Sequence, residues 1–195
     1  MAQSNRVVVL VRHGETEWTR SGQHTGRQDI PLTEQGRQEA ERLRPRLAAW
    51  SFARVLISPL SRARDTCNLA GLGEGSEVRP DLMEWDYGAY EGRRRTEILH
   101  ERPDWSLWRD GCPQGETAEQ VGVRADRILS EVRAVNGDVA LFAHGHLLRV
   151  LSARWVGQAA QFGERLALST ASLSVLGREH AAEVIWLWND TSHLR

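Results

Sequence analysis

Two short apolar segments that each end in a histidine constrain the fold of this chain more than any other feature. Residues 7–11 are a nearly continuous run of valine and leucine that leads into Arg12-His13-Gly14. Residues 138–143 form a second run, which leads into His144-Gly145-His146. Such runs are typical of parallel strands buried on both faces. Ligands commonly bind beyond the carboxyl ends of parallel strands, so both histidines are candidate site residues.

Strand and helix patterns alternate along the whole chain. Strands are predicted at residues 7–11, 54–58, 138–143, 173–176 and 183–188, the last two as an edge hairpin, and helices at 34–47, 61–70, 96–101, 117–137 and 147–155. This alternation predicts an α/β fold, a three-layer α/β/α sandwich with a mostly parallel central sheet. At 195 residues, we expect a single domain over residues 1–195.

The charge of the chain argues against nucleic acid or a membrane surface as its partner. The formal net charge is −1 at pH 7, so no global positive charge attracts a polyanion. All 25 basic residues are arginine, which removes lysine Schiff-base chemistry and a P-loop lysine. Arginine provides a planar, bidentate donor set that suits phosphate oxygens. The expected partner is therefore a small anionic molecule bound by a local site.

The N-terminal segment and the cysteines indicate a cytoplasmic protein. The one apolar run within residues 1–15 is too short to span a bilayer, and no signal-peptide cleavage site follows it. Cys67 and Cys112 lack CxxC spacing, so we expect free thiols in a reducing compartment. The sequence leaves open whether two chains form a homodimer.

The residues at the two strand ends favour phosphate chemistry over metal chemistry. The glycine after each histidine allows an anion to approach backbone N–H groups. Arg12 beside His13 attracts an anion and disfavours a metal cation. His144 and His146 supply only half of a metal site, and no cysteine or carboxylate cluster completes it. We therefore expect neither a metal nor another cofactor.

An ordered set of short motifs runs from one strand end to the other. It begins with Leu10-Val-Arg-His-Gly-Glu-Thr-Glu-Trp18 and ends with Ala143-His-Gly-His146. Between them lie His24-Thr-Gly26, Pro31-Leu-Thr33, Ser58-Pro59 with Arg62, Glu84-Trp-Asp-Tyr-Gly88, Glu91-Gly92 and Gly115-Glu116-Thr117. In this order the set resembles the histidine phosphatase superfamily, also called phosphoglycerate mutase-like. The resemblance implies that fold.

The resemblance also implies a role for each matching residue. His13 would be the nucleophile that becomes phosphorylated, and Arg12, Arg62 and a protonated His144 would bind the phosphoryl oxygens. Glu84 would give a proton to the leaving alcohol and then activate water. Such preorganised cations suit a phosphoryl transition state, whose negative charge is spread over three oxygens. The residues expected to line the phosphate site are Thr25, Gly26 and Gly145.

The connection between residues 92 and 115 is short, which favours hydrolysis over mutase action. The mutase branch carries a long insertion here that holds its phosphoglycerate. Residues 105–117 and 21–26 instead resemble the branch of bacterial acid phosphatases and sedoheptulose 1,7-bisphosphatase-type enzymes. The expected function is phosphomonoester hydrolysis through a phosphohistidine. The expected substrate is a small phosphorylated metabolite, with sugar phosphates and sugar bisphosphates as the leading class.

Several alternatives stay open at this point. A phosphoglycerate mutase and a non-catalytic phospho-ligand-binding regulatory protein are the rival functions. His24 and Arg109 are candidate contacts to the rest of the substrate. Arg93-Arg94-Arg95 either holds a second phosphate or is a solvated helix start.

Eight tryptophans are a further feature of this chain. Four have apolar neighbours and are expected in the core or an interface: Trp50, Trp155, Trp186 and Trp188. Three others fall in the expected substrate loops and are candidates for a pocket wall or lid: Trp85, Trp105 and Trp108.

Overall fold

A six-stranded sheet forms the centre of the fold in the computed structural model, which describes residues 6–195. The strands are β1 (Val8–Arg12), β2 (Phe52–Ile57), β3 (Glu77–Val78), β4 (Asp138–Ala143), β5 (Leu173–Glu179) and β6 (Ala182–Asp190). Their order across the sheet is β3-β2-β4-β1-β5-β6. The first four in this order run parallel, whereas β5 pairs antiparallel with both β1 and β6. The prediction of a mostly parallel sheet with an edge hairpin is confirmed.

Eight α-helices connect the strands within the described residues. They are α1 (Glu17–Ser21), α2 (Glu34–Arg42), α3 (Arg44–Leu47), α4 (Ser61–Leu69), α5 (Arg95–Glu101), α6 (Leu107–Asp110), α7 (Ala118–Ala134) and α8 (Gly145–Trp155). Short 3₁₀ turns lie at Pro80–Leu82, Gly88–Tyr90, Ala160–Arg165 and Ser192–Leu194. Residues 1–5 of the predicted domain lie outside this description.

Capping and proline chemistry explain where the helices begin and end. The Thr33 hydroxyl accepts the Gly36 N–H at 3.0 Å and so starts α2. Thr117 and Gln120 exchange hydrogen bonds in a capping box that starts α7. The helix predicted over residues 34–47 divides at Leu43. Pro45 lacks an N–H and lies in the first turn of the separate helix α3, which starts at Arg44. The two-residue strand β3 was missed, since so short a segment carries no alternation.

Alternating residues of the central strands enter two separate cores. One face contributes Leu10 and Leu141 to a cluster with residues of α7 and α8. The other contributes Val9 and Phe142 to a cluster with residues of α3 and α4 and with Leu43, which lies between α2 and α3. Because successive side chains of a strand point to opposite faces, this pattern makes the sheet the middle of three layers. The expected α/β/α sandwich is confirmed, and it leaves the strand ends of β1 and β4 as the place for a site.

The tryptophans with apolar neighbours follow the prediction only in part. Trp155 on α8 is buried, and its indole N–H donates to the Val184 carbonyl at 3.1 Å. Trp50 and Trp188 are half-buried against the two clusters. Trp186 lies on edge strand β6 and is 44% exposed, so it does not pack in the core, and its place in an interface stays a prediction.

No helix within residues 6–195 combines the length and the apolar character that crossing a bilayer would require.

Two valines on α7 offer a matched test of the core. Val121 is fully buried, whereas Val123 is 55% exposed. We expect Val121→Ala to lower the free energy of unfolding by about 2 kcal/mol, through lost burial and the cavity left behind. Val123→Ala should change it by less than about 0.5 kcal/mol. Urea unfolding measures both, and equal effects would contradict this packing of α7.

Candidate active site

Adjacent parallel strands bring the two histidine turns together. β1 pairs with β4 so that Arg12 lies opposite Ala143, and the His13 N–H donates to the Ala143 carbonyl at 3.1 Å. The ring centroids of His13 and His144 are 5.2 Å apart. Two segments 131 positions apart in sequence (144 − 13) therefore form one site.

The hydrogen bonding of His13 leaves one ring nitrogen with a lone pair. Its Nδ1 lies 2.7 Å from the Gly14 carbonyl, which can only accept, so Nδ1 carries the proton and Nε2 does not. The Thr66 hydroxyl accepts the Gly14 N–H at 3.1 Å and fixes this turn. Burial, together with the charges of Arg62 and Arg12, lowers the pKa of His13 well below its usual range. His13 is thus a neutral base, as a nucleophile must be.

Arg62 lies behind His13, fully buried on α4. Its Nη2 donates to the carbonyls of Thr25 at 3.2 Å and Gly26 at 2.9 Å, and its Nη1 donates to that of Gln28 at 2.9 Å. Its Nε–H donates to His144 Nδ1 at 3.2 Å. The guanidinium therefore positions residues 25–28 as well as supplying charge.

The same contact determines the state of His144. Because Arg62 donates to Nδ1, that nitrogen has no proton, and Nε2–H donates to the Ser58 hydroxyl at 2.7 Å. Burial, Arg62 and His13 lower the pKa of His144 well below its usual range. The expectation of a protonated His144 was wrong. A cationic imidazole would need an acceptor beside Nδ1, and the buried Arg62 places a donor there instead.

Glu84 is held by backbone donors. Its Oε1 accepts the N–H groups of Trp85 and Leu147, both at 2.9 Å, and its Oε2 accepts that of His146 at 3.0 Å. Arg124 donates to the carbonyls of Asp81 and Met83 and pairs with Glu116, which fixes the loop that carries Glu84. The carboxyl group is thus oriented by the start of α8.

These groups surround one cavity of about 270 Å³, called here the strand-end cavity. The predicted site residues that line it are Arg12, His13, His24, Thr25, Glu84 and Gly145. Arg62 and His144 lie directly behind its wall and are fully buried. A volume near the lower end of the range for small-molecule sites suits a metabolite.

The structure gives no support to two predicted contacts. The Gly26 N–H donates to Glu91 Oε1 at 2.7 Å, so it is already occupied. The side chain of Arg109 is 64% exposed on α6, pairs with Asp110 and is absent from the cavity lining. The tryptophans expected to form a wall or lid, Trp85, Trp105 and Trp108, are buried beneath the cavity and do not line it.

Sequence reasoning missed other residues that line the cavity. Tyr87 and His146 form a pair, with 2.6 Å between the hydroxyl and Nδ1. Arg149 stacks over the Trp108 ring at 4.7 Å. The helical spacing of Arg149 from His146, one turn later on α8, was the signal that could have identified it. Leu168 joins from the loop before β5, and no local signal marks it.

Within residues 6–195, no group of three or more histidine, cysteine, aspartate or glutamate side chains is arranged to hold a metal ion.

The family model described as "Histidine phosphatase superfamily (branch 1)" matches residues 8–191. The chain belongs to this superfamily. The prediction made from the ordered motifs is confirmed, and residues from several of those motifs line the strand-end cavity, among them His13, Glu84 and Gly145.

Two relatives of this chain are named as phosphatases. An acid phosphatase of Mycobacterium tuberculosis is 39% identical over 99% of this chain and 97% of its own length. A sedoheptulose 1,7-bisphosphatase of Saccharomyces cerevisiae is 36% identical over 78% of this chain and 68% of its own. The solved structure of the Mycobacterium tuberculosis open reading frame Rv3214 superimposes with a TM-score of 0.91 at 38% identity, covering 95% of this chain and 98% of that one. The expectation of a phosphatase is confirmed over that of a mutase.

The buried neutral histidines predict a pH-dependent stability. The pKa values of His13, His144 and His146 are all lowered well below about 6.5, the value in an unfolded chain. As the pH falls through that value, the unfolded state binds protons that the folded state does not. The free energy of unfolding should therefore fall by roughly 1–2 kcal/mol per histidine between pH 7 and pH 5.

Urea titrations across this pH range measure the effect. His144→Gln should reduce the slope by about the contribution of one histidine, and His100→Gln, on the exposed side of α5, is the control. A slope that does not change in His144→Gln would show that this histidine is not held neutral.

Proposed function

We propose that this chain is a metal-independent phosphomonoester hydrolase that passes a phosphoryl group through a phosphohistidine at His13 Nε2. The observation that carries the proposal is the bond from Nδ1 to the Gly14 carbonyl, which leaves Nε2 unprotonated in a cavity lined by arginine. The proposed substrate is a small phosphorylated metabolite, with sugar phosphates as the leading class.

In the first step, the Nε2 lone pair attacks phosphorus and the bond to the ester oxygen breaks. Glu84, which lines the same cavity, supplies the proton that the leaving alcohol needs. In the second step, Glu84 takes a proton from water, whose oxygen attacks phosphorus and breaks the P–N bond. The net reaction consumes one water and releases an alcohol and phosphate, and His13 returns to its starting state.

Arg12 has a buried donor that the protein leaves without a partner among the described residues. Its Nε–H is buried and has no acceptor within the described residues, while its Nη1 bonds to the Leu168 carbonyl. A phosphoryl oxygen would satisfy this donor. Gly145 leaves room for the guanidinium, because a Cβ at that position would lie only 3.3 Å from it. Arg62, with most of its donors engaged, contributes mainly charge and support.

The proposed substrate class is supported by the relatives. Both relatives described above are named as phosphatases, one of them a sugar bisphosphatase, and this disfavours the mutase alternative. The non-catalytic alternative is disfavoured because Arg12, His13, Arg62, Glu84 and His144 are all present and adjoin one cavity. A cytoplasmic location and a homodimer remain predictions.

A substrate panel tests this proposal directly. Phosphate release would be measured from p-nitrophenyl phosphate, sedoheptulose 1,7-bisphosphate, fructose 1,6-bisphosphate and 3-phosphoglycerate, with and without EDTA. Release should survive EDTA and disappear in His13→Ala, because the nucleophile is a side chain and needs no metal. Arg37→Ala, on exposed α2, is the control. Interconversion of phosphoglycerates without phosphate release would instead indicate a mutase.

Two substrates with different leaving groups test whether Glu84 is the general acid. Glu84→Gln can no longer donate a proton, so kcat for a sugar phosphate should fall by about 10²–10⁴-fold. For p-nitrophenyl phosphate, whose leaving phenolate needs no proton, the phosphoenzyme should still form and give a burst of p-nitrophenol. Rapid-quench kinetics would follow both substrates. An equal loss of the first step for the two would show that Glu84 is not the acid.

A further inference from the structure

The three successive arginines at the start of α5 have three different environments. Arg93 pairs with Glu101 through both guanidinium Nη atoms. Arg94 donates from Nε to the Ser21 carbonyl at 2.9 Å. Arg95 lines the strand-end cavity, and within residues 6–195 no acceptor is bonded to its guanidinium. Of the two readings that the sequence left open, solvation fits Arg93 and Arg94, and ligand contact fits Arg95.

A backbone bridge holds Arg95 close to His24. The His24 N–H donates to the Arg93 carbonyl at 2.9 Å, and the Gly92 N–H donates to the His24 carbonyl at the same distance. His24 Nδ1 also donates to the Arg93 carbonyl, at 2.8 Å. Because Nδ1 of His24 carries the proton, its Nε2 is an acceptor, and it has no partner within the described residues. The loop that carries His24 and the helix that begins with Arg95 therefore form one rigid unit.

Packing fixes the His24 ring as well. Its centroid lies 4.7 Å from that of Tyr87 and 5.8 Å from that of Trp105, both in edge-on contact. Burial lowers the pKa of His24, and the nearby charge of Arg95 acts in the same direction. The arrangement is a preorganised wall rather than a mobile surface chain.

The charge of the cavity exceeds what one phosphoryl group requires. Arg12 and Arg62 are the cations whose charges act on His13, and Arg95 and Arg149 also line the cavity. Glu84 is the only acidic residue among the lining residues. Arg149 is held by the carbonyls of Gly163 and Glu164, so its position does not depend on the substrate. Two further cations are thus available to the part of the substrate that is not transferred.

We infer that Arg95, together with His24 and Arg149, binds a second phosphate group, so that the preferred substrate is a bisphosphate. The inference rests on the proposed function, because it assigns contacts to the part of the same substrate that is not transferred. A phosphate dianion accepts from a guanidinium in bidentate fashion, which matches the unengaged donors of Arg95. Arg95 is then a specificity residue that acts in binding, and His13 remains the site of chemistry.

The test compares substrates that differ by one phosphate. We expect kcat/KM for fructose 1,6-bisphosphate to exceed that for fructose 1-phosphate and fructose 6-phosphate. Arg95→Gln should reduce this preference about tenfold, mainly through KM, since one charge-assisted contact is lost. Arg94→Gln, the neighbouring arginine outside the cavity, is the matched control and should keep the preference. The preference should also weaken between roughly 0.05 and 0.5 M salt, because Arg95 is exposed.

The outcomes separate this inference from the proposed function. His13-dependent hydrolysis of p-nitrophenyl phosphate without any bisphosphate preference would overturn the second-phosphate site and leave the proposed function standing. An equal preference in Arg95→Gln and the unaltered protein would do the same. A preference for 3-phosphoglycerate that Arg95→Gln removes would show a carboxylate site instead. No His13-dependent hydrolysis of any substrate would overturn both.

Discussion

The fully buried guanidinium of Arg62 is the interaction on which the site depends. It bonds to three carbonyls of residues 25–28 and to a ring nitrogen of His144, and within residues 6–195 no carboxylate pairs with it. A buried cation without an anionic partner is costly unless hydrogen bonds and a ligand charge compensate it. The fold tolerates it because four acceptors surround it, and in the proposed function the phosphoryl group would supply the missing charge. On this proposal, substrate binding and the stability of the loop at residues 25–28 would be coupled through one side chain.

The positive charge around the cavity comes from arginine side chains. His13, His144 and His146 are neutral, each because burial disfavours the imidazolium. Since the chain contains no lysine, the cationic groups are guanidinium ions that keep their charge across the physiological range. The cavity thus combines a positive charge that persists across this range with a histidine, the proposed nucleophile, whose pKa is lowered well below its usual range. Acid–base chemistry is left to Glu84.

How far the sequence predicts this structure depends on how local each signal is. His13 and His144 were predictable, because each directly follows an apolar run whose strand pairing places their turns side by side. Helices α4, α5, α7 and α8 and the start of α2 were predictable to within a few residues, since caps such as Thr33 and Thr117 mark two of these starts, but the short helices α1 and α6 were not predicted. The neutral state of His144 was not predictable. It depends on the Nε–H of Arg62, which lies on α4, 82 positions away in sequence. The same applies to Leu168, and to the burial of Trp85 and Trp108 beneath the cavity rather than in its wall.

The loop that leads into the β5–β6 hairpin contributes to the site although it carries none of the proposed catalytic side chains. The Ala171 N–H donates to the His13 carbonyl at 3.0 Å, with Ala171 itself at a positive φ of 48°, and the Leu168 carbonyl accepts from Arg12. During synthesis, a nascent chain that has just passed residue 145 already contains every catalytic group. The turn at His13 still lacks its bond to Ala171, and Arg12 lacks the carbonyl that orients it. The enzyme therefore gains its working geometry only when the last part of the sheet has left the ribosome and paired with the first.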